Sequence, residues 1–296
     1  MENIIYYYYN LIPEDIKNRY GGFLFYANDE KYLLTEVKQK PEEVLQIYDI
    51  LLRSNIGNYI IVNNKEGNQI TKQDNTNYIL YRVRCEDDDL LTRKELFNIK
   101  EKGNNLWSNT WGDRIDYYEI QINEIGQEKN VILKSINYYI GLAENSIAIA
   151  SKYEKDLNED DYSLQHYRMN VPILRGEYYN PNNILLDINV RDVAEYVKSS
   201  FFNTSKDVDD YIDYILSFDL DNKKANLLFA RLLYPTYYFD LFDEVIFNEK
   251  EEDELIPIIN EAHKYERFIS NIYLELSERY QMIYIPWIKK RAKAPR

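Results

Sequence analysis

Apolar side chains fall in short bursts along residues 1–85 and recur every third or fourth position beyond residue 86. Bursts and alternation suit strands, while the longer recurrence suits helices that bury one face. The pattern predicts strands over 23–26 and 32–37, joined by a turn at Asn28 and Asp29. A helix follows over 41–52: Pro41 suits a first turn, Glu42 and Glu43 suit its positive end, and Val44, Ile47, Ile50 and Leu51 form one face. Strands over 59–62 and 77–83 flank a turn near Gly67. Helices are predicted over 91–102, 110–125, 131–153, 190–202, 208–218 and 225–233. The longest is expected over 251–281, where Pro257 marks a kink or a late start and Leu255, Ile258, Ile259, Ala262, Tyr265, Ile269, Ile272 and Leu276 form a stripe. The acidic run 86–89 reads as a solvated hinge, and the basic tail 289–296 as a frayed end.

The expected fold class is therefore α+β. A small antiparallel sheet carrying one helix fills 1–85, and a large helical part fills 86–296. That order is the order of a two-lobed, protein-kinase-like fold. The chain has 296 residues and 45% hydrophobic content, enough for a sizeable core. A formal net charge of −14 repels phosphate backbones, so nucleic acid is not an expected partner. No apolar run reaches the roughly 20 residues needed to span a bilayer, and a soluble, cytoplasmic product is expected. The single cysteine, Cys85, allows no internal disulfide. Tyrosine stands out at 30 residues against 9 glycines, a bias that interfaces or base composition can produce.

Phosphoryl transfer needs a loop around the phosphates, a strand lysine, carboxylates for magnesium and an aspartate that orients the nucleophile. The pair Gly21-Gly22 before Phe23 is too short for such a loop and reads as a turn. The strand position expected to carry lysine holds Thr35 or its neighbours, with Lys38 and Lys40 only at the strand's end. Two registers remain open for the catalytic loop. In one, Glu177 is the base, and Asn183 and Asp187 are magnesium ligands. In the other, His166 keeps the loop histidine and Arg168 replaces the catalytic aspartate, which an always-protonated guanidinium cannot replace as a base. Arg191 and Asp192 read as the entry to a buried helix, where an aspartate caps or holds a neighbouring loop. Two distant histidines and one cysteine match no common zinc pattern, and no metal or cofactor is expected.

The segment 138–147 (Tyr138-Tyr139-Ile140-Gly141-Leu142-Ala143-Glu144-Asn145-Ser146-Ile147), the triplet around His166 and Arg168, and the run from Asp187 through Arg191-Asp192 to Tyr196 occur in one order. With Arg231 to Pro235 and Tyr265 to Ile269, they resemble the CotS/YutH family of spore-coat proteins, over nearly the whole chain. The resemblance implies a kinase-like fold related to choline and aminoglycoside phosphotransferases, and the register with His166 and Arg168 as a degenerate catalytic loop. Asp187, Arg191 and Asp192 then serve as a structural helix entry. It also implies sporulation, synthesis in the mother-cell cytoplasm, a place in the spore coat and other coat proteins as partners. The expected function is that of a pseudokinase with a structural or interaction role and no catalytic residues. The alternatives are an active small-molecule kinase using Glu177, Asn183 and Asp187, and a non-catalytic metabolite-binding module.

Overall fold

The computed structural model describes residues 1–84, 90, 99–124, 128–203 and 208–288. Cys85, the acidic run 86–89, the tail 289–296 and most of the helix expected over 91–102 lie outside these residues. Residues 99–102 are not helical, and Lys100 bridges to Ser163.

The described chain divides into two compact units. The first comprises residues 1–103 and 159–192, the second residues 104–158 and 193–296. The division anticipated at residue 85 does not coincide with this one, because residues 159–192 group with residues 1–103. In the first unit, α1 (Glu2–Tyr9) precedes β1 (Glu14–Arg19), β2 (Gly22–Ala27) and β3 (Glu30–Glu36). After them come α2 (Pro41–Arg53), β4 (Tyr59–Val62), β5 (Thr71–Gln73) and β6 (Thr76–Val83). The strands form one antiparallel sheet in the order β1-β2-β3-β6-β4, with β5 also on β6.

Neighbouring side chains of this sheet point to opposite faces. Leu24, Leu33, Ile79 and Tyr81 pack against Val44 and Tyr48 of α2. Phe25, Leu34 and Leu80 pack with Ile4 and Ile5 of α1. Burial on both faces explains why β3 reads as the unbroken run Tyr32-Leu33-Leu34-Thr35 and not as an alternation. The pattern reading found β2, β3, β4, β6 and α2 but not α1, β1 or β5. β1 (Glu14-Asp15-Ile16-Lys17-Asn18-Arg19) is an edge strand with mostly polar side chains, so it carries no apolar period.

The first unit also contains β7 (Tyr162–His166) and β8 (Ile184–Ile188), paired antiparallel as a two-stranded ribbon. Leu164 and Ile184 of this ribbon pack on Ile47, Ile50 and Leu51 of α2. Between the two strands lie the single-turn helix α5 (Arg175–Tyr178) and a 3-10 turn at Pro181–Asn183.

The second unit is helical: α3 (Trp107–Glu124), α4 (Asn130–Tyr153), most of α6 (Arg191–Asn203), α7 (Val208–Leu216), α8 (Asn222–Leu233), α9 (Thr236–Ile246) and α10 (Ile256–Arg279). Pro257 lies in the first turn of α10, so it starts the helix and does not kink it. Aromatic stacking holds this unit. Trp107 stacks on Trp111 at 5.2 Å between ring centres, and Trp111 on Tyr234 at 4.3 Å. Beside them Arg231 donates to Glu195 at 2.7 Å, and Lys198 lies 2.9 Å from the same carboxylate oxygen. The attraction of each cation to the buried carboxylate offsets part of the cost of taking the charges out of water. The α3 N-terminus is satisfied by Glu154, whose carboxylate accepts from the backbone N–H groups of Trp107 and Ser108.

Candidate functional site

The residues singled out by sequence all fall in the first unit. Asp192 is the second residue of α6, and its carboxylate reaches the end of β7. It accepts the His166 backbone N–H at 2.7 Å, and its other oxygen lies 2.7 Å from His166 Nδ1. The Asp192 N–H in turn donates to Gln165 Oε1 at 2.7 Å. His166 Nε2 donates to the Tyr178 carbonyl at 2.9 Å. His166 is fully buried and its two ring nitrogens face protein oxygens. The imidazole is thus a structural bracket between β7, α5 and α6.

Arg191 completes the bracket. Its guanidinium donates to the carbonyls of His166 at 2.8 Å and Tyr167 at 3.0 Å, and to Asp187 Oδ2. Asp187 is on β8, with its other oxygen accepting the Ile188 N–H at 2.7 Å. Asp187 therefore stands one turn of chain before the helix and contacts its first residue, instead of lying in the helix itself. Burial with two donors suits this carboxylate, and an unpaired one would be costly there. Arg168 lies beyond the bracket and donates to the Tyr167 carbonyl at 2.7 Å.

The other candidate set is less closely joined. Asn183 donates through Nδ2 to the backbone carbonyl of Glu177 at 3.1 Å. Burial pushes the Glu177 carboxyl above its ordinary value, and His166 nearby opposes that shift. Asp187 is committed to Arg191. Among the described residues, no three His, Cys, Asp or Glu side chains are grouped as a metal-binding set.

Sequence reasoning missed the most informative contacts, which join residues 174–183 to the sheet's α2 face. The β1–β2 connection is only Tyr20-Gly21, both with positive φ (57° and 78°), the geometry of a tight two-residue hairpin turn. The Tyr20 ring is buried against Gly176: a Cβ added there would lie 2.6 Å from it. Asn180 Nδ2 donates to the Tyr20 carbonyl at 2.8 Å. Tyr59 donates through its hydroxyl to the Gly176 carbonyl. Asn182 accepts from Tyr81 at 3.0 Å and donates to Thr35 Oγ1 at 3.0 Å and to the Glu36 carbonyl at 3.1 Å. Gln39 donates to the Asn182 carbonyl at 2.9 Å. Leu174 and Tyr179 add apolar cover to the same face. The only sequence signals were a Gly pair after Tyr20 and a lone Gly176.

The turn and the strand position where phosphate chemistry was sought are both engaged within the chain. A phosphate-holding loop would arise from the β1–β2 connection, which has two residues and is fastened at both carbonyls. Thr35 is buried and spent on Asn182 and Gly21. The sheet face beneath is covered by the chain's own segment.

Comparison with known proteins gives this geometry a context. A model of the family described as "Spore coat putative kinase YutH" matches residues 2–272. The endospore coat-associated protein YutH of Bacillus subtilis (strain 168) is 26% identical over 219 residues, 66% of this chain. The match spans only 65% of that relative's length. Among solved structures, an aminoglycoside phosphotransferase from Alicyclobacillus acidocaldarius superposes with a TM-score of 0.58 at 9% identity, covering 91% of this chain and 94% of that one. A spectinomycin phosphotransferase solved with ADP and spectinomycin gives 0.50 at 10% identity, covering 93% and 97%. At such identities the likeness shows the fold alone: a mixed α and β, phosphotransferase-like scaffold.

Proposed function

The chain belongs to the YutH family of spore-coat proteins, and we propose that it is a non-catalytic structural or interaction component of the coat. It is made in the mother-cell cytoplasm and then assembled with other coat proteins. The observation that carries this reading is the self-covered α2 face: residues 174–183, held through Gly176, Asn180 and Asn182 by Tyr59, Tyr20 and Tyr81, occupy the surface beneath the short β1–β2 turn. The coat-associated relative supports the location. Among the described residues no helix is long and apolar enough to cross a membrane.

The test is thermal unfolding with magnesium and ATP. A ligand selective for the folded state must raise Tm. The reading predicts no shift at millimolar magnesium–ATP. A rise that a chelator abolishes would overturn it. In that event Glu177, with its carboxyl raised by burial and Asn183 bonded to its backbone, is the residue to examine as a base.

A further inference from the structure

The ladder between β3 and β6 ends at Tyr32 and Arg82. Beyond that pair the sheet forks. β3 stays with β2 as far as Ala27 and Glu30, and β6 stays with β4 as far as Tyr59 and Val83. The Arg84 N–H then donates to the Asn58 carbonyl at 2.8 Å, which keeps this prong on the β4 side. An open cavity of about 710 Å³ lies in the fork. Its volume is that of a small-molecule site.

The lining is charged. Tyr26, Asp29, Glu30 and Lys31 stand on the hairpin prong, and Arg82 and Arg84 on the other. Three cations against two carboxylates leave one positive charge, in a chain whose formal net charge is −14. These groups are unequally engaged. Arg82 donates to one Glu30 oxygen at 2.9 Å, and the Tyr32 hydroxyl donates to the other at 2.7 Å. Tyr32 first, then Arg82 and Arg84, hold this carboxyl below its ordinary value. The cavity wall thus already receives a carboxylate, on a guanidinium and a hydroxyl. Among the described residues neither Arg84 nor Lys31 forms an ion pair, and Lys31 lies 5.6 Å from the centre of the Tyr20 ring. Asp29, the remaining carboxylate of the lining, pairs with neither. Its charge opposes an entering anion, so a lone carboxylate gains little, and a ligand must reach both cations to bind.

We infer that this fork is a binding site for a small dicarboxylate, one carboxylate taken by Arg84 and the other by Lys31, with the half-exposed Tyr26 ring beside its carbon chain. A guanidinium can hold a carboxylate through two parallel hydrogen bonds and an ammonium cannot, so Arg84 sets the orientation and Lys31 adds charge. The inference goes beyond a coat role and uses none of the residues that cover the α2 face.

The test is isothermal titration of the full chain with succinate and with glutarate, without nucleotide or magnesium. Butyrate and inorganic phosphate at matched ionic strength are the controls. At least one dicarboxylate should bind at millimolar concentration, and both controls more weakly. Arg84→Gln should weaken that binding about tenfold, the effect of losing a hydrogen-bonded charge, and Lys31→Gln should weaken it less. Arg84 is exposed, so Arg84→Gln should leave the ligand-free Tm at the parental value. Failure of both dicarboxylates to bind, equal binding to the parent and the Arg84→Gln chain, or butyrate or phosphate binding as tightly as the better dicarboxylate overturns the inference. None of these results depends on whether the parent binds magnesium–ATP.

Discussion

The two faces of the N-terminal sheet are covered in different ways. The α1 face is closed by a helix that precedes the sheet directly, through Ile4, Ile5 and partly buried tyrosines. The α2 face is closed by α2 and by a segment joined to it across 101 to 160 residues of chain, tied down by hydrogen bonds such as Gln39 to Asn182. Non-directional apolar cover tolerates small shifts, since burial scales with area. Directional ties fix one position, because each unmade bond leaves a buried polar group unpaired. The second face carries several such ties to one distant segment, whereas α1 adds to its apolar cover the Tyr9 hydroxyl on Thr71 Oγ1 at 2.8 Å and the Lys65 N–H on the Tyr8 carbonyl at 2.8 Å.

Three changes test this contrast. The largest loss is expected for Ile5→Ala on the α1 face. Ile5 is fully buried, and such a truncation costs about 2–5 kcal/mol. Its effect should stay local, with faster amide exchange in α1 and little change in β8. Next comes Asn182→Ala, which removes side-chain bonds to Tyr81, Thr35 and the Glu36 carbonyl and should cost about 2–3 kcal/mol. Here exchange should rise in residues 174–188 and β3 together. A purely local response to Asn182→Ala would erase the distinction between the faces.

The smallest effect is expected for Glu177→Gln. Burial holds this carboxyl above the ordinary value of 4.5, so the folded chain binds the proton more tightly than the unfolded one. The associated stability is present at low pH and lost as pH rises through the raised value. Removing the charge should raise Tm slightly at pH 7, by well under about 1 kcal/mol after solvent screening, and change nothing at pH 4. Melting curves of both chains at the two pH values decide it. An unchanged difference between them would mean the carboxyl titrates alike in both states.

The central strands and α2 were legible in the sequence, whereas α1 and the distant segment that covers the α2 face were not. Leu24, Phe25, Leu33, Leu34 and Ile79 to Tyr81 announce strands by their own side chains. β8 did not, because Asn180 and Pro181 before it carry turn chemistry and Asp187 within it resembles a catalytic aspartate. α9, rich in aromatic residues and directly behind Pro235, also escaped notice. The kinase-like order of elements was legible, and so was the turn at Gly21-Gly22. What replaces the loop was not, since Tyr20, Gly176 and Asn182 meet only after folding and share no local period. The bracket of His166, Arg191 and Asp192 sits between these cases: its members were named in advance, but their partners Gln165 and Tyr178 were not.

The two-residue turn at Tyr20-Gly21 has one more consequence, for ancestry and descent. A residue swapped at an active position can be swapped back in a single step. A connection of two residues cannot be lengthened by any exchange of side chains. A descendant of this chain would need inserted residues before this connection could become a longer loop. Selection acting through point changes alone can change the side chains of this turn but cannot change its length.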